Sequence, residues 1–140
     1  MKDAKQQGFS LIEMLVVVTI IGIVSIISIP LYKKAINASE NMSIFTTAKF
    51  MAQEQTAFFT TNSRYARLDE LNEQYNNNFG KYQDNTIVKG KFTITMSPVT
   101  PTDSELKTNY TIIATRTLDA AELPYVISFD ASGEVIQIIP

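Results

Sequence analysis

Among the residues that could do chemistry, one carboxylate is oddly placed. Glu13 sits at the start of an almost wholly apolar run from Phe9 to Pro30. The usual catalytic side chains are missing. The 140-residue chain has no cysteine, which removes disulfides, thiolate nucleophiles and Cys-based zinc sites. It has no histidine, the commonest general base and metal ligand. There is no glycine-rich phosphate loop, and the other carboxylates are scattered rather than paired. Nothing points to an enzyme, and no metal or cofactor is expected. A net charge of −2 gives no basic footprint for nucleic acid.

The chemistry open to Glu13 is charge pairing. Between Met14 and Tyr32 no residue is charged, a run of 19 residues against the roughly 20 that a helix needs to cross a bilayer core. A carboxylate at the bilayer centre costs roughly 2.5–3.5 kcal/mol, and less near an interface. A simple anchor would carry that cost without return. If the chain is cut between Gly8 and Phe9, a new amine appears four residues before Glu13, about one helical turn away. That ammonium, or one on a neighbouring subunit, would offset the carboxylate.

The flanks fit a membrane segment. Met1 to Gly8 is short and polar with Lys2, Asp3 and Lys5, and Lys33-Lys34 follows the run. The positive leader predicts an N-terminus that starts in the cytoplasm. An ordinary secretory signal would need a small-residue cleavage site after the apolar run, and Ser28 to Tyr32 offers no good one. A buried core helix with no polar face does not suit so small a protein. A plain transmembrane anchor remains open as the alternative.

The stretch Gly8-Phe9-Ser10-Leu11-Ile12-Glu13, followed by the apolar run, resembles the prepilin signature of type IV pilins and type II secretion pseudopilins. The resemblance is specific over Lys5 to Tyr32, is most like a type IVa major pilin with its class III signal, and is weaker over the rest. It implies cleavage by a prepilin peptidase after Gly8 and N-methylation of Phe9. It implies that Glu13 recruits the subunit by pairing with a neighbour's amine. Gly22 and Pro30 fall where many pilins weaken their helix. The implied partners are identical subunits in a helical filament, the prepilin peptidase, the inner-membrane pilus assembly platform and, before assembly, membrane lipid. The implied path runs from the inner (cytoplasmic) membrane to an extracellular filament.

Physical chemistry agrees on the weak points. Pro30 lacks an amide hydrogen, so the Ile26 carbonyl loses its helical partner. Gly22 costs about 1 kcal/mol against alanine in a helix. Two outcomes stay open: the segment from Gly22 to Pro30 unwinds in a packed filament, or Pro30 only kinks a continuous helix.

The expected fold is α+β: one long helix over about 9–60, with a membrane or filament-core segment at 9–32, and a β-rich head over 61–140. Residues 1–8 form the leader. Ile44, Ala48, Met51, Gln55 and Phe58 share one helical stripe, with Phe45, Ala52 and Phe59 beside it. Lys33, Lys34, Glu40, Asn41, Lys49 and Glu54 are expected on wetter faces. Thr61 to Lys89 reads as an irregular connection with one short helix near Leu68 to Glu73, and the Asn-rich stretch and Gly80 break the pattern. Ser63-Arg64-Tyr65-Ala66 with Leu68 and Leu71 weakly resembles the segment after the long helix in many pilins. About four antiparallel strands are predicted, at 91–97, 110–116, 124–129 and 134–139, the last two flanking a turn at Asp130 to Gly133. Residues 97–106 and 119–124 read as loops.

The departures matter. Without cysteine the C-terminal loop cannot be closed by a disulfide, and the tryptophan of many pseudopilins is missing. Asp103, Glu105 and Asp130 read as solvated turn residues rather than calcium ligands. This favours a pilus subunit over a type II secretion pseudopilin, or over a minor pilin with a ligand- or DNA-binding head. Lys81, Lys89 and Lys91 with Tyr82 and Phe92 could form a small basic, aromatic patch, although a solvated face suits them better. Removing the leader's +1 would take the net charge from −2 to −3, which disfavours nucleic acid without such a patch; a nucleic-acid partner stays open.

Overall fold

The computed structural model describes residues 8–116 and 124–139. The chain divides into two units, Met1–Ser39 and Glu40–Pro140. One helix, α1 (Leu11–Asn62), contributes to both. Its part in the first unit buries no side chain, and nearly every apolar residue from Phe9 to Tyr32 is exposed. Its backbone bonds are made within the helix, as a chain in lipid requires.

In the second unit the helix becomes amphipathic. Ile44, Thr47, Ala48, Met51, Ala52 and Gln55 are buried, at the three-and-four spacing of one helical face. Phe58 packs against the core as well. The helix ends at Asn62 because Ser63 turns into the left-handed region (φ 54°) while its N–H still bonds Phe59 O at 2.8 Å. Gln55, the polar member of the stripe, is fully buried and pairs with the backbone of Ala66. Its Nε2 donates to Ala66 O (2.9 Å) and its Oε1 accepts the Ala66 N–H (2.8 Å). A buried amide is tolerable only when its groups are paired, and here they fix the chain leaving the helix.

The segment after the helix is more regular than its composition suggests. α2 (Leu68–Gln74) buries Leu68, Leu71 and Asn72. Buried Asn72 donates to Gly80 O (3.0 Å) and Asn77 Oδ1 (3.1 Å) and accepts the Phe79 N–H (3.2 Å). It thereby clamps the Asn-rich turn, where Asn76 and Asn77 take positive φ, a conformation asparagine tolerates. Arg64 holds Glu70 through two bonds (2.8 and 2.5 Å), and the Tyr65 ring packs between Phe59, tilted, and Tyr110, edge-on.

Six strands follow: β1 (Lys81–Gln83), β2 (Thr86–Lys89), β3 (Phe92–Ser97), β4 (Thr111–Arg116), β5 (Val126–Asp130) and β6 (Val135–Ile139). They form one antiparallel sheet in sequence order. Alternation sets the faces: Phe92, Ile94 and Met96 on β3 and Ile112 and Ala114 on β4 point into the core with Ile127 and Phe129. The second half of α1 shares that core.

The sheet therefore has six strands, not the expected four. β1 and β2 lie in the stretch read as an irregular connection. They are short, and only Ile87 is buried, so no alternation marks them. Their hairpin is made by Asp84-Asn85, both at positive φ, a two-residue turn matched to strand twist. The expected loop over 97–106 ends in a one-turn helix, α3 (Asp103–Leu106), which buries Leu106. The long helix starts at Leu11, so Phe9 lies before it. The turn at Asp130 forms as read: Gly133 N–H bonds Asp130 O (3.0 Å) with Gly133 at φ 74°. The leader residues 1–7, the expected loop residues 119–123 and Pro140 lie outside the described residues.

Candidate assembly site

The first unit contains the residues singled out for cleavage and assembly. Gly8, Phe9 and Ser10 are not helical, and Phe9 is 82% exposed. Ser10 is the N-cap. Its carbonyl accepts the first helical bond from Met14 N–H (3.2 Å), and its Oγ faces the Ile12 N–H at 3.4 Å. Glu13, third residue of the helix, reaches back and accepts the Ser10 N–H at 2.7 Å. Glu13 thus makes the carboxylate half of a capping box, Ser-x-x-Glu, satisfying an orphan amide at the helix start, while the Ser10 hydroxyl reaches the Ile12 N–H rather than that of Glu13. A carboxylate here also faces the positive end of the helix dipole. Glu13 is therefore held by Ser10, one residue beyond Phe9. Sequence reading had not singled out Ser10, although the Ser-x-x-Glu spacing signals it.

Phe9, Ile12, Met14, Val16 and Val17 form an exposed apolar surface around this carboxylate. Beyond it α1 is long and apolar enough to cross a membrane by length and composition. The polar side chains within the run are neutralised locally. Thr19, Ser25 and Ser28 hydroxyls donate to the carbonyls four residues back, Leu15, Ile21 and Val24, at 2.7–2.8 Å. Gly22 and Pro30 both lie inside the continuous helix, and a Cβ on Gly22 would meet open space.

The second unit has no comparable site among the described residues. The basic, aromatic cluster does not form as a surface. Phe92 is buried, Lys89 donates to Thr47 Oγ1 (2.8 Å), and Lys91 pairs with Glu40 (3.3 Å). Glu40 also takes the buried Arg116 at 2.8 Å, so it is an ion-pair centre rather than a residue of a wet face. Glu54 likewise bonds the Tyr75 hydroxyl. The three acidic turn residues act within the fold. Asp103 pairs with Arg67 (2.5 Å), Glu105 caps α3 at Thr102 N–H (2.7 Å), and Asp130 accepts the Ser132 N–H (2.8 Å). Groups able to hold a metal ion are not found among the described residues. Bonding to Arg64 holds the Glu70 carboxyl below the usual carboxylate range. Bonds from Thr102 and Ser132 do the same for Glu105 and Asp130.

The family model described as "Prokaryotic N-terminal methylation motif" matches residues 3–29. Among curated proteins, the chain is similar to the "Type IV major pilin protein PilA" of Myxococcus xanthus (strain DK1622). The two are 37% identical over 64 residues, 46% of this chain and 29% of that protein. The chain thus lines up with under a third of that relative's length. No solved structure matches it. The methylation motif and the pilin relative make this chain similar to a type IV pilin over part of its length, and its long helix packs in its second part on an antiparallel sheet.

Proposed function

We propose that this chain is a structural subunit of a type IV pilus filament. The peptidase cuts after Gly8, Phe9 is N-methylated, and residues 9–32 anchor the subunit in the inner membrane until it is extracted into the filament. There the same helix packs on identical helices, and Glu13 pairs with a neighbour's amine. Residues 61–140, with the second part of the helix, form the head exposed outside the cell. The assembly platform and membrane lipid are its partners along this path.

The observation that carries this reading is the part of α1 up to Tyr32: an exposed apolar helix without charge beyond the single carboxylate that opens it. Roughly 25 cal/mol is at stake per Å2 of apolar surface kept from water, so such a surface needs lipid or other helices around it. A bare anchor would not need Glu13. The relative's printed description as a major pilin favours a pilus subunit over a secretion pseudopilin.

N-terminal mass spectrometry of surface filaments sheared from cells with and without the prepilin peptidase tests the reading. The expected product is N-methylated Phe9 in the filament fraction, present only with the peptidase. Retention of residues 1–8 in a membrane monomer would overturn it.

A further inference from the structure

The three helices among the described residues begin alike. The third residue is a glutamate whose carboxylate accepts the backbone N–H of the residue preceding the helix. Glu13 takes the Ser10 N–H (2.7 Å), Glu70 the Arg67 N–H (2.9 Å) and Glu105 the Thr102 N–H (2.7 Å). In the head the purpose is structural: Glu70 is part of an ion-pair network with Arg64, and Glu105 opens a four-residue helix. Glu13 shares the local geometry but opens an exposed run with no other charge before Lys33.

We propose that Ser10 is the positioning residue for Glu13. Its N–H holds the carboxylate at the tip of the helix in the unassembled subunit, and the assembly contact takes the carboxylate over from it. This rests on the filament reading above. The physical reason is orientation. A glutamate side chain loses rotamer freedom when it is fixed, and a charge-assisted bond to a backbone N–H supplies the fixing before a partner arrives. The bond also keeps the carboxylate at the helix end that carries positive partial charge. The donor belongs to the residue after Phe9, so the carboxylate is held one residue along the chain from the nitrogen that the proposed cleavage converts to an amine.

Two measurements test this. In the first, the full 15N-labelled chain is studied in detergent micelles, and hydrogen exchange of the Ser10 amide is compared with that of Glu13→Ala. Exchange in the wild type is expected to be about fivefold slower, the size of a typical cap. Equal rates would overturn the proposal whether or not filaments form. The second measures the ratio of filamentous to membrane-retained mature subunits, with mass spectrometry counting only chains that begin at Phe9. Ser10→Pro, which lacks the amide hydrogen, should lower the ratio several-fold. Ser10→Ala, which keeps the donor but loses the cap oxygen, should lie between. Ser10→Thr should match wild type. A cleaved Ser10→Pro subunit that assembles normally would overturn the proposal. If the wild type shows amide protection yet forms no filaments, the filament reading fails and the capping geometry stands.

Discussion

Residues 11–39 and 40–62 belong to one helix, yet they meet opposite environments. The first stretch has no buried side chain, although it holds 15 of the chain's 33 valines, leucines and isoleucines. The second is less apolar, yet it buries a continuous stripe against the sheet. Hydropathy alone would place the core in the wrong half. Periodicity corrects this: a stripe needs a protein face to meet, and an apolar surface on every side needs lipid or other helices. The head therefore carries the stability of the chain, and in the proposed filament the first stretch carries its associations.

This contrast is open to test by substitution, with head stability read as thermal unfolding in detergent. The largest effect is expected for Leu71→Ala or Ile112→Ala, both completely buried, at about 2–5 kcal/mol. Ile20→Ala, on the exposed run, should leave head unfolding within about 0.5 kcal/mol. Equal losses would erase the contrast. Next comes Gln55→Leu, which leaves the Ala66 N–H and C=O unpaired in the core and should cost roughly 2–4 kcal/mol. Glu40→Gln removes the carboxylate between Arg116 and Lys91, with an expected loss of about 1–3 kcal/mol in the same melt.

The smallest effect is that of acid on the head. Glu70 titrates lower in the folded chain because Arg64 bonds its charged form. Its contribution is complete above the unfolded glutamate value of about 4.3 and is lost as pH falls through the lower folded value. Head stability should therefore drop on acidification below about pH 4.3, and Glu70→Gln should flatten that slope in melts run across the range. An unchanged slope would mean that the Arg64 pair contributes nothing.

The elements with strong periodicity were legible in the sequence. The long helix was placed within two residues at each end, β3 and β4 fell where alternation put them, and β5 and β6 fell on either side of the turn read at Asp130 to Gly133. The hydrogen bonds that start the helices and the β1–β2 hairpin were not read. β1 and β2 are paired by a two-residue turn at Asp84-Asn85, a signal that rests on two residues rather than on a buried face. Thr102-x-x-Glu105 and Ser10-x-x-Glu13 share one spacing, and each starts a helix where a loop or a continuing helix was expected. Glu13 was noticed because a charge in an apolar run is costly. Ser10 was not, because its contribution is a backbone N–H, which every residue but proline carries. The Arg116–Glu40 pair joins positions 76 apart in sequence, and nothing local in either segment announces it.

The measurement closest to the central claim compares wild type with Glu13→Ala in a host that has the prepilin peptidase. Both are scored for the N-terminal residue and for their presence in sheared filaments. The account predicts that both chains begin at N-methylated Phe9, and that only the wild type enters filaments. A Glu13→Ala chain that assembles as well as wild type would contradict it. The carboxylate would then be a helix cap alone, and assembly would rest on the apolar surface without it.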